Sequence, residues 1–177
     1  MKNSVANHFE GFFKEKNYTL LKNYLYNYLL RKRAVANSLN YEKIDMVLEV
    51  GSGISPIMTK TDHIIYTDLS FAAIQVLSHT HRKGLHVVAD GTKLPFKADV
   101  FSHIICSEVL EHIPDDMAAM QELSRVMKPV GRLIITFPHR KFYFAIDDRF
   151  VGHYRRYEIS EMENKLKEYG FKPISIK

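Results

Sequence analysis

Met46-Val47-Leu48-Glu49-Val50-Gly51-Ser52-Gly53 is the stretch on which the reading of the fold turns. An apolar run interrupted by one acid ends in a turn with two glycines. A run this short, bounded by glycine, reads as a strand covered on both faces. Working outward, residues 63–67 read as a second strand, followed by Asp68. Ser70 is placed to cap a helix to about residue 82, with Gly84 as its stop. Residues 86–89 form a third strand ending at Asp90-Gly91, and residues 100–106 a fourth ending at Ser107-Glu108. A helix capped by Asp115 or Asp116 runs to Met127 and is stopped by Lys128-Pro129. Residues 132–137 form a fifth strand. After a long connection, Ser160 caps a helix to Tyr169, Gly170 ends it, and residues 171–176 begin a sixth strand.

Strands alternating with helices, several of them continuously apolar, predict an α/β fold with a doubly wound, mostly parallel sheet and helices on both faces. The 177 residues are 46% hydrophobic and 25% charged, as in an ordinary globular domain. The single cysteine, Cys106, excludes an internal disulfide, and no zinc-ligand spacing occurs. No long apolar run follows the first residues. The expectation is therefore a cytoplasmic chain with no secretory leader and no membrane-spanning helix.

Charge divides the chain. Residues 1–40 carry seven Lys/Arg and two acids, while the rest is balanced at eighteen of each. A neutral body is no nucleic-acid surface. In the N-terminal segment, Leu21, Tyr24, Leu25, Tyr28 and Leu29 recur with helical spacing, predicting a helix over about residues 18–39. Residues 1–40 are expected to form a helical cap or lid over a domain at 41–177. Arg31-Lys32-Arg33 and the tyrosines also suit a membrane surface.

In an open parallel sheet, ligands bind beyond the carboxyl ends of the strands. Those ends carry Gly51-Ser52-Gly53, Asp68, Asp90 and Ser107-Glu108. Phosphate sites gather backbone N–H groups and a Lys or Arg. Acidic strand ends instead suit a ligand with hydroxyls, an amine and a positive charge.

Five stretches, in order, carry a family resemblance: residues 47–53, Asp68, residues 89–96, residues 101–113 and residues 128–133. Together they resemble the motifs of class I S-adenosylmethionine-dependent methyltransferases. Gly152-His153-Tyr154-Arg155-Arg156-Tyr157 is similar to a segment of a subset of that family. The resemblance implies a Rossmann-like fold and a methyl transfer from S-adenosylmethionine, with S-adenosylhomocysteine as product. The acceptor is expected to be a small molecule, lipid or glycan-like compound.

By this resemblance the cofactor is held by Glu49, Gly51, Ser52, Gly53, Asp68, Leu69, Asp90, Gly91, Thr92, Ser107 and Glu108. Gly51 and Gly53 let the backbone turn and approach the ligand. Asp68 would accept from the ribose diol, Asp90 from the adenine amine, and Leu69 would pack on the adenine. Glu49 would help hold the methionine end. His112 is the first choice for a proton acceptor, ahead of His139 and His153. Glu108, Glu111 and His112 form an E-x-x-E-H pattern similar to the metal-binding set of some quinone-ring and RNA 2′-hydroxyl methyltransferases, with His153 as a further ligand. The same letters occur in metal-free members, and the reading assigns no metal. Arg140, Lys141, Arg149, Arg155 and Arg156 either clamp an anionic acceptor or pair with Asp147, Asp148 and Glu158.

The chain departs from the pattern in three ways. Ser55-Pro56 stands where the motif continues with a third glycine, and only a very short first helix fits before Asp68. A third glycine is what a nicotinamide dehydrogenase would need. Val130 replaces a usual glycine. The resemblance implies seven strands, and this chain reaches only the sixth. Either the sixth strand pairs directly beside the fifth, or another chain such as a second copy completes the short sheet edge, or the form is truncated. The alternative reading is a non-catalytic binding module of the same fold that docks through its basic N-terminal helix.

Overall fold

The computed structural model describes residues 26–39 and 44–176 of the protein. Helix α1 spans Tyr26–Ser38, and the first strand, β1, is Val47–Val50. Then come β2 (Ile64–Asp68), α2 (Phe71–Thr80), β3 (Leu85–Val88), β4 (Phe101–Ser107), α3 (Asp116–Val126) and β5 (Met127–Thr136). A short helix, α4 (Ile146–Phe150), and a longer one, α5 (Ile159–Glu168), complete the order. Single 3-10 turns occupy Leu110–His112 and Lys141–Tyr143.

The sheet has five strands in the order β3-β2-β1-β4-β5, every neighbouring pair parallel. The chain builds outward from β1 through β2 to β3, then reverses and adds β4 and β5 on the other side. The reversal lies between β1 and β4, and in such sheets the crevice opens at that point. Alternation along the strands loads both faces. Leu48, Val50, Ile104 and Cys106 enter one cluster with Met120, Leu123, Tyr157 and Met162 from the α3/α5 side. Val47 and Ile105 enter the other with Tyr28, Val35 and Leu77 from α1 and α2. Two filled faces explain why β1 and β4 read as near-continuous apolar runs.

The N-terminal helix is fastened as well as packed. The buried Tyr28 hydroxyl donates to the carbonyls of Ser55 and Pro56 at 3.0 and 3.1 Å. Lys32 Nζ donates to Pro56 at 3.1 Å, and Arg132 reaches the Ser38 carbonyl at 2.8 Å. Residues 18–25 of the expected helix lie outside the described residues.

Four expectations are corrected. Residues 171–176 form no strand, so the described sheet has five strands rather than six, with β5 at its edge. Ile174 and Ile176 are exposed, with no sheet neighbour among the described residues. The very short helix expected between Gly53 and Asp68 is a series of turns. There Pro56 has no N–H, and Glu49 takes those of Ile57 and Met58. Helix α2 stops at Thr80, four residues before Gly84, which instead turns the chain into β3 with φ +80°. Helix α5 starts one residue before Ser160, with Glu158 as the preceding cap. The other boundaries agree to within a few residues, apart from β5, which begins directly after α3. Its irregular start, with Val130 at φ +61° and a register break against β4, absorbs Pro129.

Candidate active site

The carboxyl ends of β1 to β4 lie side by side because the strands are parallel and in close register. The turn after β1 is specified by contact. Gly51 has φ +68°, and a β-carbon there would lie 2.4 Å from Val109 Cγ2. Val109 follows β4, so this glycine lets the turns after β1 and β4 close on each other across the reversal. Gly53 also has positive φ, and its N–H donates to Asp68 Oδ2 at 2.8 Å. Ser70 N–H donates to Asp68 Oδ1 at 2.9 Å. One carboxylate thus ties the glycine turn to the start of α2, and Ser70 caps that helix through Ala73 N–H at 3.1 Å.

Ser52 is buried, its N–H on the Thr67 carbonyl and its hydroxyl on the Glu49 carbonyl. The Glu49 carboxylate accepts from Ile57 N–H at 2.7 Å and Met58 N–H at 3.0 Å. These bonds repay the burial of a charged group inside a strand. They also give Glu49 a role in holding residues 51–58, which the sequence reading missed. The backbone donors lie eight and nine residues away on an irregular segment.

At β3, Asp90 Oδ1 accepts from both the N–H and the hydroxyl of Thr92, at 2.9 and 2.7 Å. Gly91 sits close to Ile113 and Val50, where a β-carbon would come within 3.3 Å of Ile113. Leu69 is half-buried beyond β2. At the end of β4, Ser107 Oγ lies 2.8 Å from Thr136 Oγ1. Glu108, with φ +55°, accepts from Thr136 Oγ1 at 2.9 Å and pairs with Arg31 of α1 at 3.0 Å. Apart from Glu49, which stands inside β1, the residues assigned to the cofactor therefore lie at the ends of the first four strands.

His112 closes the turn after β4. Its Nδ1 lies 3.3 Å from the Gly152 carbonyl, and its ring meets that of His153 edge-on, centroids 4.6 Å apart. His153 Nδ1 lies 2.7 Å from Asp148 Oδ1, which also accepts from Arg156 Nε at 2.9 Å. Burial alone would raise the Asp148 carboxyl. Bonds from Arg156, Ala145 N–H and His153 override it and hold the group down to about 2. Beside the two imidazoles lies Glu111, fully buried, its carboxyl pushed well above the usual range by burial and by Glu108. His139 is exposed and outside this group.

The basic loop resolves toward ion pairing, with Asp148 among the expected partners and Asp116 and Glu161 as partners that were not expected. Arg155 pairs with Asp116 at 2.9 Å, Arg156 with Asp148, and Lys141 with Glu161 at 2.8 Å. Asp116 and Glu161 lie on helices, where the pairing could not be read from the loop itself. Arg140 and Arg149 lie over the rings of Tyr143 and Phe144.

Residues 48–135 match the family described as a methyltransferase domain. A demethylmenaquinone methyltransferase of Streptomyces griseus is 30% identical over 110 residues, covering 60% of this chain and 48% of that protein. The chain spans about half the length of the curated relatives it matches. Among solved structures, a SAM-dependent methyltransferase of Thermotoga maritima superposes with TM-score 0.80 at 19% identity, covering 96% of this chain and 82% of that one. Phosphoethanolamine N-methyltransferase 2 of Haemonchus contortus, in complex with S-adenosyl-L-methionine, gives 0.67 at 19% identity, covering 80% and 36%. The sheet order and the glycine turn after β1 are those of a Rossmann-like fold. The chain belongs to the class I S-adenosylmethionine-dependent methyltransferase family.

Proposed function

We propose that this chain binds S-adenosylmethionine across the ends of β1 to β4 and transfers its methyl group to a small-molecule acceptor. The observation that carries the reading is the glycine turn and the Asp68, Asp90 and Glu108 carboxylates gathered at the reversal of the strand order. The donor chemistry fits the ligand. Each carboxylate oxygen accepts more than one hydrogen bond, so Asp68 can take a ribose diol while keeping its two backbone donors. Asp90 uses Oδ1 for Thr92, and Oδ2 lies outside that turn. Gly91 brings its backbone against Ile113 and Val50, and it and Leu69 would flank the planar ring. Gly51, Ser52 and Gly53 carry the aminoacyl end on backbone groups, with Glu49 as their anchor. Ser107 and Glu108 close the β4 side.

When bound, the cofactor supplies a methyl carbon on a positively charged sulfur, and the protein's part is alignment and exclusion of water. Helix α1 serves as the lid, and Tyr28, Arg31 and Lys32 are its fastenings to the turn after β1 and the end of β4. His112 takes the acceptor's proton, steadied by the Gly152 carbonyl at Nδ1. The relatives' name, demethylmenaquinone methyltransferase, supports an organic ring acceptor with an apolar part. Exposed Phe142, Ile146 and Phe150 on the connection after β5 offer apolar surface for such a molecule.

Isothermal titration of the intact chain with S-adenosylhomocysteine tests the reading. Binding that Asp68→Ala weakens at least tenfold is expected. Absence of binding to the intact, folded chain overturns it.

A further inference from the structure

We propose that the connection after β5 is a docking surface for an anionic phospholipid bilayer, which Phe142, Ile146 and Phe150 enter and Arg140 and Arg149 hold. The burial of α4 is inverted. Its charged Asp148 is 2% exposed, while Ile146 and Phe150 are 80% and 81% exposed. Residues four apart on a helix share a face, and Asp148, two residues from each, lies on the opposite one. Phe142, just before the helix, is 92% exposed, and its ring meets that of Tyr143 edge-on, centroids 5.7 Å apart. Single exposed apolar residues are ordinary on a protein surface, whereas several on one short connection mark a place of contact.

The outward aim is fixed by what lies beneath. Asp148 accepts from Ala145 N–H at 2.8 Å and Arg156 Nε at 2.9 Å, and lies 2.7 Å from His153 Nδ1. A carboxylate held by charged donors resists leaving its place, so α4 does not roll to bury Ile146 and Phe150. The base of the connection is clamped as well. Arg140 N–H donates to the Tyr157 carbonyl at 3.1 Å, and Tyr157 N–H to the Pro138 carbonyl at 3.2 Å. Tyr157 is fully buried, its hydroxyl on the Leu110 carbonyl and Asp116.

Charge and shape select the occupant. Arg140 and Arg149 pair with no carboxylate among the described residues, and lie 5.9 and 6.0 Å from the ring centroids of Tyr143 and Phe144. Lys141 is taken by Glu161, and Asp147 is the one exposed acid between residues 139 and 150. Guanidinium groups beside aromatic rings suit lipid phosphates at headgroup depth, with apolar side chains reaching below them. Side chains this exposed stand clear of their neighbours. A protein partner would need a matching pocket for each, whereas fluid acyl chains surround them without one. The same surface would meet an acceptor's apolar part, and the two uses agree. An acceptor dissolved in the bilayer arrives from the phase these side chains enter. That link rests on the methyl-transfer reading, whereas attachment to the bilayer does not.

The test is co-sedimentation of the full chain with vesicles of phosphatidylcholine, alone or with about one-third phosphatidylglycerol, at about 0.1 M salt. Binding to the mixed vesicles is expected, at least tenfold tighter than to phosphatidylcholine alone. Phe142→Ser, Ile146→Ser and Phe150→Ser combined should weaken it at least tenfold, and Arg140→Ala with Arg149→Ala about tenfold or more. The replaced apolar side chains are exposed, and an unchanged urea midpoint verifies that the variants fold. The chain contains no tryptophan, so Phe142→Trp gives this connection a fluorophore of its own. Its emission should shift to the blue on mixed vesicles and be quenched by lipids brominated along the acyl chain. Equal binding to both vesicle types, unchanged binding in the triple variant, or an unshifted tryptophan on bound chain overturns the inference. So does absence of binding to either vesicle, which leaves the surface to a protein partner. Titration with S-adenosylhomocysteine separates the two readings. Nucleoside binding without vesicle binding ends the bilayer surface alone, and vesicle binding without the nucleoside ends the cofactor reading alone.

Discussion

Arg31 and Glu108 form an ion pair at 3.0 Å that joins α1 to the carboxyl end of β4. The pair crosses the sheet reversal, where a ligand of this fold sits, so the N-terminal helix is coupled to the site by charge as well as by packing. Tyr28, one turn away on α1, has its phenol raised to about 12 by burial and by Glu49. It stays a hydrogen-bond donor throughout the physiological range.

Arg31→Ala should loosen α1 more than it destabilises the domain. Partly exposed ion pairs are worth about 1 kcal/mol or less. The expected result is amide exchange up to about fivefold faster in residues 26–38, with little change in the denaturation midpoint. Unchanged exchange in that segment would show that packing of Tyr28 and Val35 alone holds the helix.

Gly51→Ala should be among the most damaging small substitutions in the chain. Left-handed backbone costs an L-residue about 1–2 kcal/mol, and overpacking adds about 1–3. A loss of about 2–5 kcal/mol in urea denaturation is expected. Val109→Ala should recover the contact part and not the backbone part, because the added carbon meets Val109 Cγ2. A double-mutant cycle with less than about 0.5 kcal/mol of coupling would contradict this contact.

Glu49→Gln separates a structural from a ligand-holding role. The native carboxylate gives one oxygen to Ile57 N–H and one to Met58 N–H, whereas an amide offers only one acceptor oxygen. Losing one of these bonds should cost about 1–3 kcal/mol. Any fall in cofactor affinity should track the fall in stability. Weakened affinity at unchanged stability would mean that the carboxylate itself meets the ligand.

Asp116 sets a pH dependence. Burial would raise its carboxyl, but bonds from Tyr157, Lys165 and Arg155 lower it below the usual value. A depressed carboxyl contributes stability that is complete above its unfolded value, about 4, and is lost as pH falls through the folded value. The stability gap between the native chain and Asp116→Asn should therefore be constant from about pH 5 to 7 and shrink below pH 4. A gap that persists unchanged at pH 3 would place the stabilisation in packing.

Much of the site was legible because its residues are local to strand ends. The Met46–Gly53 stretch announces a buried strand and a turn, and the acids after β2, β3 and β4 fall where the chain leaves the sheet. The roles of some of these residues were less legible. Glu49 reads as a ligand group in one dimension, yet in the fold it ties down residues 57 and 58. Residues 171–176 have strand composition, but a strand exists only where a neighbour accepts its hydrogen bonds.

The alternation of strands and helices, the glycine turn and the order of acidic strand ends are written in the chain itself. These follow from the periodicity of burial and from backbone freedom, which are properties of neighbouring residues. Packing in three dimensions is what brings Glu111, His112 and His153 together, gives Glu108 to Arg31, and gives Arg155 to Asp116 rather than to a loop acid. Those pairings join segments tens of residues apart. Such partners are chosen by how the strands are ordered and how the helices pack across them, and local spacing carries no record of that choice.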